Sequence, residues 1–429
     1  VSLENIYLQL CAMGVSDHHR FFGQMPDPPE TFAVKVARQT LEDLGALEDA
    51  SMSLDGMTPL GRHLARLPCH PRLGKMLILG CMLNVPGPVL SICAAMSGRS
   101  PLMTTQDTNK RSAWQTERHK LLRELGHRSD HCAWAVLMYL WMHQEVARPI
   151  LCRKYGLSYE RMQAAFFERR HLCDSLSQTG FLPRDFLQQE RELEQTPPDW
   201  TVVCAAIAGG LFPNVAKIER NITGRAVGNS VSDRNRSMKY SVMQAQMEDS
   251  GPSNPRQAAC YMHPNSLCFG VDSFQCPLAA FYTLQKTTKL YVYDATEASA
   301  WALLLFSGLA PVWTHVGRGR GKFDIGAFAT FTCERGDFVQ DLLTTSRRAL
   351  QAILEQKLHD TSCDLSAAPE LIAIVDLLRT HGLGFVPTSV LRPEWPCLEL
   401  LIEESAPHME QLRAERAEKE KAQQQPQEQ

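Results

Sequence analysis

The stretch Met57-Thr-Pro-Leu-Gly-Arg-His-Leu-Ala-Arg-Leu-Pro-Cys-His-Pro-Arg-Leu-Gly-Lys-Met-Leu-Ile-Leu-Gly80 decides the reading of this chain. Thr58 followed by Pro59 sets a helix-capping hydroxyl before a proline that only a first turn tolerates, so a helix begins there. Leu60, Leu64 and Leu67 recur at helical spacing and give that helix one apolar face. Pro68 and Pro71 stop it, and a second, strongly apolar helix runs from Arg72 to Leu83. Lys75 follows a glycine, but it belongs to this helix and to no phosphate loop.

Outward from this run, composition narrows the class. The 429 residues are 44% hydrophobic and 21% charged, as in an ordinary globular protein, and roughly two to four domains are expected. With a net charge of −3 the whole molecule does not attract nucleic acid, and any basic surface must be local. No stretch approaches the ~18 uninterrupted apolar residues of a membrane span. The 14 cysteines are scattered, and Cys81, Cys93, Cys132 and Cys204 sit in apolar runs. That pattern predicts reduced, buried thiols in an intracellular compartment: cytoplasm, nucleus or mitochondrion. The chain opens Val1-Ser2-Leu3-Glu4 without an initiator Met, which reads as a fragment of a longer protein whose targeting signal is not visible.

Residues 1–67 alternate helical patterns with a short connector. Leu3 to Met13 predicts a buried helix, and a second starts after Asp27-Pro-Pro-Glu30 with Ala33, Ala37, Leu41 and Leu44 on one face. Gly45 closes it, and the polar segment Ala46 to Gly56 suits a small β-wing. Residues 68–198 are almost wholly helical in pattern with short connections, which predicts an antiparallel bundle whose core includes Trp134, Met138 and Trp141. Thr196-Pro-Pro-Asp199 marks a boundary. After Val202 short β-rich runs take over, at Leu211 to Ile218, Cys260 to Phe269, Leu290 to Asp294 and Phe323 to Cys333. They predict an OB-type barrel over 199–358, with a basic loop insertion at about 221–256 and a closing amphipathic helix from Asp337 to Leu358. The remainder, 359–429, reads as an extension, and its Glu/Lys/Gln-rich end, the last ~25 residues, has the composition of a disordered tail.

Five sequence elements, in order, resemble the accessory region of DEAH/RHA-type RNA helicases. Ser2-Leu-Glu-Asn-Ile-Tyr-Leu-Gln9 is similar to the opening helix of that family's winged-helix domain, and the Thr58 to Met76 run to its junction with the helical bundle. Leu211-Phe-Pro-Asn-Val215 resembles the strand that opens the family's OB-fold. Tyr261-Met-His-Pro-Asn-Ser266 resembles the H-P-S-S turn, with Asn265 replacing a Ser, and Phe281-Tyr282 with Thr287-Thr288-Lys289 resembles the strand downstream. The RHA-like branch fits better than the splicing-factor branch. The resemblance covers residues 1 to about 358 and implies a multidomain α+β chain of winged helix, antiparallel bundle and OB-type barrel. It also implies that ATP and Mg are used by RecA-like motor domains elsewhere in the parent polypeptide, while this region grips single-stranded RNA and offers surfaces to regulatory proteins. A non-enzymatic RNA-binding or protein-interaction scaffold is the rival reading.

The chain itself carries no G-x-x-x-x-G-K-[S/T] loop. The nearest approach, Gly317-Arg-Gly-Arg-Gly-Lys322, has the wrong spacing, and Phe323 stands where a metal-binding hydroxyl is needed. No Asp-Glu-x-His tetrad occurs either, so no catalytic residue and no bound cofactor are expected in this chain. Cys260, Cys268 and Cys276 lack metal-site spacing, so no metal is expected.

Binding residues are sought where a positive groove meets adaptable polar groups, as OB-folds need for single strands. Lys217 and Arg220 follow the first strand; His263, Asn265 and Ser266 form a polar turn; Thr287, Thr288 and Lys289 lie at a strand end. The resemblance implies that this turn and strand lie near RNA. The alternative for His263 and Ser266 is that they satisfy backbone groups inside the turn. Arg318, Arg320 and Lys322 form a compact basic loop that either pairs with phosphates or solvates a hairpin tip. Arg225, Arg234, Arg236 and Lys239 in the insertion carry the same two readings, as do Arg111, Arg118, Lys120, Arg123 and Arg128 around Trp114 in the bundle.

Overall fold

The computed structural model describes residues 3–15, 17–48, 56–143, 147–193, 198–220, 238–244, 256–271, 274, 276–326 and 328–380. The N-terminal part holds α1 (Leu3–Ala12), α2 (His18–Gly23), α3 (Thr31–Asp43) and α4 (Pro59–Leu64). Tyr7, Leu8 and Leu10 of α1 are buried; of the face expected for α3, Ala37 and Leu41, with Leu44 just past its end, are buried, whereas Ala33 is only half-buried and Val34 takes its place in the core. Thr58 caps α4 by accepting the Gly61 N–H at 3.0 Å, while its own hydroxyl donates to the Gly45 carbonyl at 2.6 Å. Gly61 is obligatory there, because a Cβ would stand 2.0 Å from the Ala46 carbonyl oxygen. Of the wing expected over Ala46 to Gly56, the described residues show one antiparallel bridge, Leu47 to Met57, and residues 49–55 lie outside them.

The bundle contains α5 (Pro71–Met82), α6 (Pro86–Ser97), α7 (Thr108–Leu125), α8 (Asp130–His143), α9 (Arg148–Tyr155), α10 (Tyr159–Gln178), α11 (Phe186–Leu193) and α12 (Trp200–Leu211). Every residue of α5 except Cys81 is buried, and α12 is buried throughout. α12 is apolar on all sides and α5 is so apart from Arg72 and Lys75, so both lie inside the fold, where they pack against each other. Their backbones approach closely at Gly210, where a Cβ would come within 2.5 Å of Met76 Cβ. Trp134, Met138 and Trp141 of α8 are sealed in the core. The β-rich texture read from Val202 onward begins later than expected: Trp200–Leu211 is helix, because Asp199 caps it through the Thr201 and Val202 amides.

The barrel is closed, in the order β1-β2-β3-β5-β4, from β1 (Val215–Arg220), β2 (Met238–Gln244), β3 (Arg256–Met262), β4 (Leu278–Lys286) and β5 (Leu290–Glu297). Neighbouring strands are antiparallel except β3 and β5, which run parallel with Tyr261 opposite Tyr291. β2 lies inside the segment expected to be a loop insertion. Tyr240 and Val242 face the barrel core at 4% and 1% exposure, an alternation that basic neighbours obscured in the sequence. Residues 221–237 and 245–255 lie outside the described residues.

The run Phe323 to Cys333, expected in the barrel, belongs to a separate three-stranded sheet of β6 (Val312–Gly317), β7 (Arg320–Ile325) and β8 (Ala329–Cys333). α13 (Ala300–Phe306) separates the two, and α14 (Gly336–His359) covers the sheet. α15 (Pro369–Thr380) closes the described chain against α12, α13 and α14. No described helix is long and apolar enough to cross a membrane.

Candidate nucleic-acid interface

In a closed barrel strand residues alternate between core and outside. Cys260 and Met262 of β3 and Val292 of β5 point inward, which turns Tyr261, Tyr291 and Tyr293 outward. The parallel register brings these rings together. Tyr261 and Tyr291 lie with ring centroids 6.2 Å apart. The His263 ring stacks on Tyr293 at 4.0 Å and meets Tyr291 edge-on at 5.5 Å. Lys289, in the turn just before β5, places its ammonium 4.3 Å from the Tyr261 ring centre, within cation–π range. The result is a row of aromatic faces with one cation over it, on an outer surface where Tyr261 is 44% exposed.

The turn that positions His263 is locked from behind. Asp130, at the start of α8 and without exposed surface, accepts the Ser266 hydroxyl at 2.6 Å, the Cys268 amide at 2.9 Å and the Ala295 amide at 2.8 Å. Next to it Ser129 and His131 both hydrogen-bond Thr296 of β5, at 2.7 and 2.6 Å. Burial raises the Asp130 carboxyl, and those same hydrogen bonds oppose the rise. Burial, with the charge of Asp130, pushes the neighbouring Asp294 up to about 7. His131 is held neutral, lowered by burial to about 3. This cluster fastens the bundle to the barrel.

Of the residues expected from sequence, His263, Asn265, Thr287, Thr288 and Lys289 fall at or beside this face. His263 is lowered by partial burial and therefore neutral at pH 7, its Nδ1 accepting the Asn265 N–H at 3.1 Å. Asn265 is half-buried, and Thr287 and Thr288 are exposed in the β4–β5 turn, where the Thr287 amide donates to the Lys289 carbonyl. Ser266 is a correction: at 5% exposure its hydroxyl is committed to Asp130 and faces away from solvent. Lys217 pairs with Glu219 at 2.9 Å on β1. Arg220 ends β1, and its side chain lies outside the described part.

The basic loop belongs to the separate sheet, where Arg320 pairs with Glu334 at 3.1 Å and Lys322 with Asp324 at 2.8 Å. Arg318 sits at the tip with φ +54°, exposed and without an ion pair among the described residues. Arg225, Arg234 and Arg236 lie outside the described residues, and so does the side chain of Lys239. In the bundle Arg118 is buried and donates to the Tyr155 and Gly156 carbonyls at 2.9 and 3.3 Å, so it faces the α9 terminus and no phosphate. Burial pushes the thiols of Cys260 and Cys276 up to about 12 and that of Cys268 well above its ordinary value. These thiols are protonated at neutral pH.

Tyr261, Tyr291 and Tyr293 escaped the sequence reading, although Tyr-Val-Tyr alternation already put two of them on one face. Their convergence with His263 depends on the parallel β3–β5 pairing, a contact between distant segments that no local pattern announces.

Residues 203–310 match the family model described as oligonucleotide/oligosaccharide-binding (OB)-fold, and residues 70–134 match the helicase associated domain (HA2), ratchet-like. The chain is 27% identical over 386 residues to the DExH-box ATP-dependent RNA helicase DExH1 of Arabidopsis thaliana, covering 88% of this chain and 34% of that protein. It is 25% identical over 397 residues to the ATP-dependent DNA/RNA helicase DHX36 of Homo sapiens, covering 88% and 35%. A putative DEAH-box ATP-dependent helicase, UM11114 of Mycosarcoma maydis, is 26% identical over 409 residues, covering 90% and 25%. The chain is therefore a C-terminal accessory region of DEAH/RHA helicase type. It spans a quarter to about a third of the length of these relatives.

Proposed function

We propose that this region grips single-stranded RNA and couples its movement to an ATP-dependent motor in the parent protein. The single observation that carries the reading is the outward-facing row of exposed Tyr261 and half-buried Tyr291, Tyr293 and His263, with Lys289 above Tyr261. Every base has a stacking face, so such a row holds a single strand with little base preference, while Lys289 meets the backbone charge. Thr287, Thr288 and Asn265 supply hydrogen-bonding groups at its edge. On this reading residues 1–67 act as a winged helix and the bundle as the ratchet along which the strand moves. ATP and Mg would then be used by RecA-like domains, the partner core in the same polypeptide.

The test is binding of labelled oligo-U RNA by the full chain and by the Tyr291→Ala/Tyr293→Ala double variant. Stacking contributes ~1–3 kcal/mol per base, so losing two rings weakens binding by roughly 1.5 to 4 orders of magnitude. Equal affinity in both would remove the barrel face as the RNA site.

A specific observation favours the scaffold as a second reading: the ion pairs Lys217–Glu219, Arg320–Glu334 and Lys322–Asp324 neutralise cations that RNA would need. A chain that binds no RNA at low salt but retains its fold supports that reading.

A further inference from the structure

Four arginines line a cavity of about 620 Å³ bounded by α8, α9, α10 and the start of α11. α8 starts at Asp130 in the barrel joint, and its last residues, Met142 and His143, reach this cavity. The helix has 14 residues, so joint and cavity stand ~20 Å apart. Arg169 is sealed at the base, where it pairs with Glu190 and donates to the Ser91 hydroxyl at 2.9 Å. Arg148 opens α9 and is fixed in place. Its Nε donates to the Trp141 carbonyl at 2.9 Å, and its guanidinium lies 4.9 Å from the Trp141 ring centre. Arg170 of α10 and Arg184 before α11 are exposed, and their guanidiniums have no hydrogen bond or ion pair among the described residues. Both carboxylates lining the cavity are engaged, Glu190 by Arg169 and Asp185 by the Gln189 side-chain amide at 2.7 Å.

We propose that this cavity binds a small ligand carrying two or more linked phosphates. A guanidinium fork matches phosphate oxygens in pairs, and here guanidiniums from three successive segments converge. One carboxylate or one phosphate would leave most of that charge unanswered, whereas a chain of phosphates answers it at several points. The charge is local: the molecule as a whole carries −3, while in the cavity four arginines face two carboxylates. The volume lies within the ~300–1,000 Å³ of small-ligand sites. A single RNA strand fits less well, because the phenyl ring lining the cavity, Phe166, already meets Arg148 at 5.9 Å and offers bases no stacking row.

Isothermal titration calorimetry of the full chain with inorganic tripolyphosphate tests this, in about 0.15 M potassium chloride to screen loose surface attraction. The expected result is saturable one-to-one binding, weakened about tenfold or more in Arg170→Gln/Arg184→Gln. Both side chains are exposed, so the double variant keeps the core, which an unchanged thermal melt verifies. Arg184→Gln alone, in a turn, should weaken binding several-fold. The Tyr291→Ala/Tyr293→Ala variant should bind tripolyphosphate as the parent does, since the barrel face is a separate site. No binding by the parent chain, or equal affinity in the arginine variant, overturns the proposal. Loss of binding in the tyrosine variant overturns it by moving the anion to the barrel. Citrate bound as tightly overturns the phosphate class, and displacement of tripolyphosphate by oligo-U gives the cavity to the RNA strand instead.

Discussion

Asp130 shows how one side chain can serve as a joint. It gathers three donors from two barrel segments, so Asp130→Ala leaves the Ser266 hydroxyl and two amides without their acceptor. A buried donor left unpaired costs about 1–3 kcal/mol, and the expected loss is several kcal/mol in a urea titration. Asp294 beside it yields a pH prediction. Its carboxyl is raised to about 7 in the folded chain from the ordinary 3.8. The folded state therefore binds more protons than the unfolded state between those values, and stability falls as pH rises through that window. The slope attributable to this group is at most ~1.4 kcal/mol per pH unit. Asp294→Asn removes the slope, so thermal melting measured from pH 4 to 8 should run flatter in the variant than in the parent chain. Equal pH dependence in both would mean that Asp294 is ionised without penalty.

Among the elements, α13 and α14 are bound by a single guanidinium. Arg347 of α14 donates to the Leu304 carbonyl at 2.6 Å, the Leu305 carbonyl at 3.2 Å and the Ser307 carbonyl at 3.0 Å, thereby closing the C-terminal end of α13. Arg347→Met keeps the aliphatic stem but leaves these carbonyls, and that of Leu309 at 3.4 Å, without the guanidinium; the expected cost is about 2–4 kcal/mol in chemical unfolding, with barrel strands unaffected in exchange experiments. Helix ends like this also explain what the sequence disclosed. Thr58-Pro59 announced α4 because the cap and the first-turn proline act within one turn, and the Leu60, Leu64 and Leu67 spacing needed no distant partner. The spans of α1 and α14 followed from the same local rules. By contrast, α12 resembled a strand entrance, since an apolar Val-Val-Cys-Ala-Ala-Ile run fits a buried helix or a buried strand equally well. β2 hid behind charged neighbours, and the split between barrel and β6–β8 sheet is set by which edges pair, information that lies between segments. The same holds at the binding face: Lys289 and His263 were legible as polar residues in loops, while the tyrosines between which they work were not.

At the scale of the whole molecule, charge and stacking make opposite demands on the proposed RNA grip. The net charge is −3, and three of the cations first singled out are already engaged with carboxylates. Lys289 and Arg318 carry no such pair among the described residues. Single strands lose affinity with salt at a slope of about −0.7 per phosphate neutralised, so a grip built on two cations gives a slope of roughly −1.4. Stacking on the tyrosines carries almost no salt dependence, and most of the affinity should persist at high ionic strength. Oligo-U titrations at several potassium chloride concentrations measure this directly. Lys289→Ala should lower the magnitude of the slope by about 0.7, and Tyr291→Ala should reduce affinity while leaving the slope alone. A slope several-fold steeper than two phosphates allow would transfer the main contact away from the barrel face, to the arginines at 225, 234 and 236.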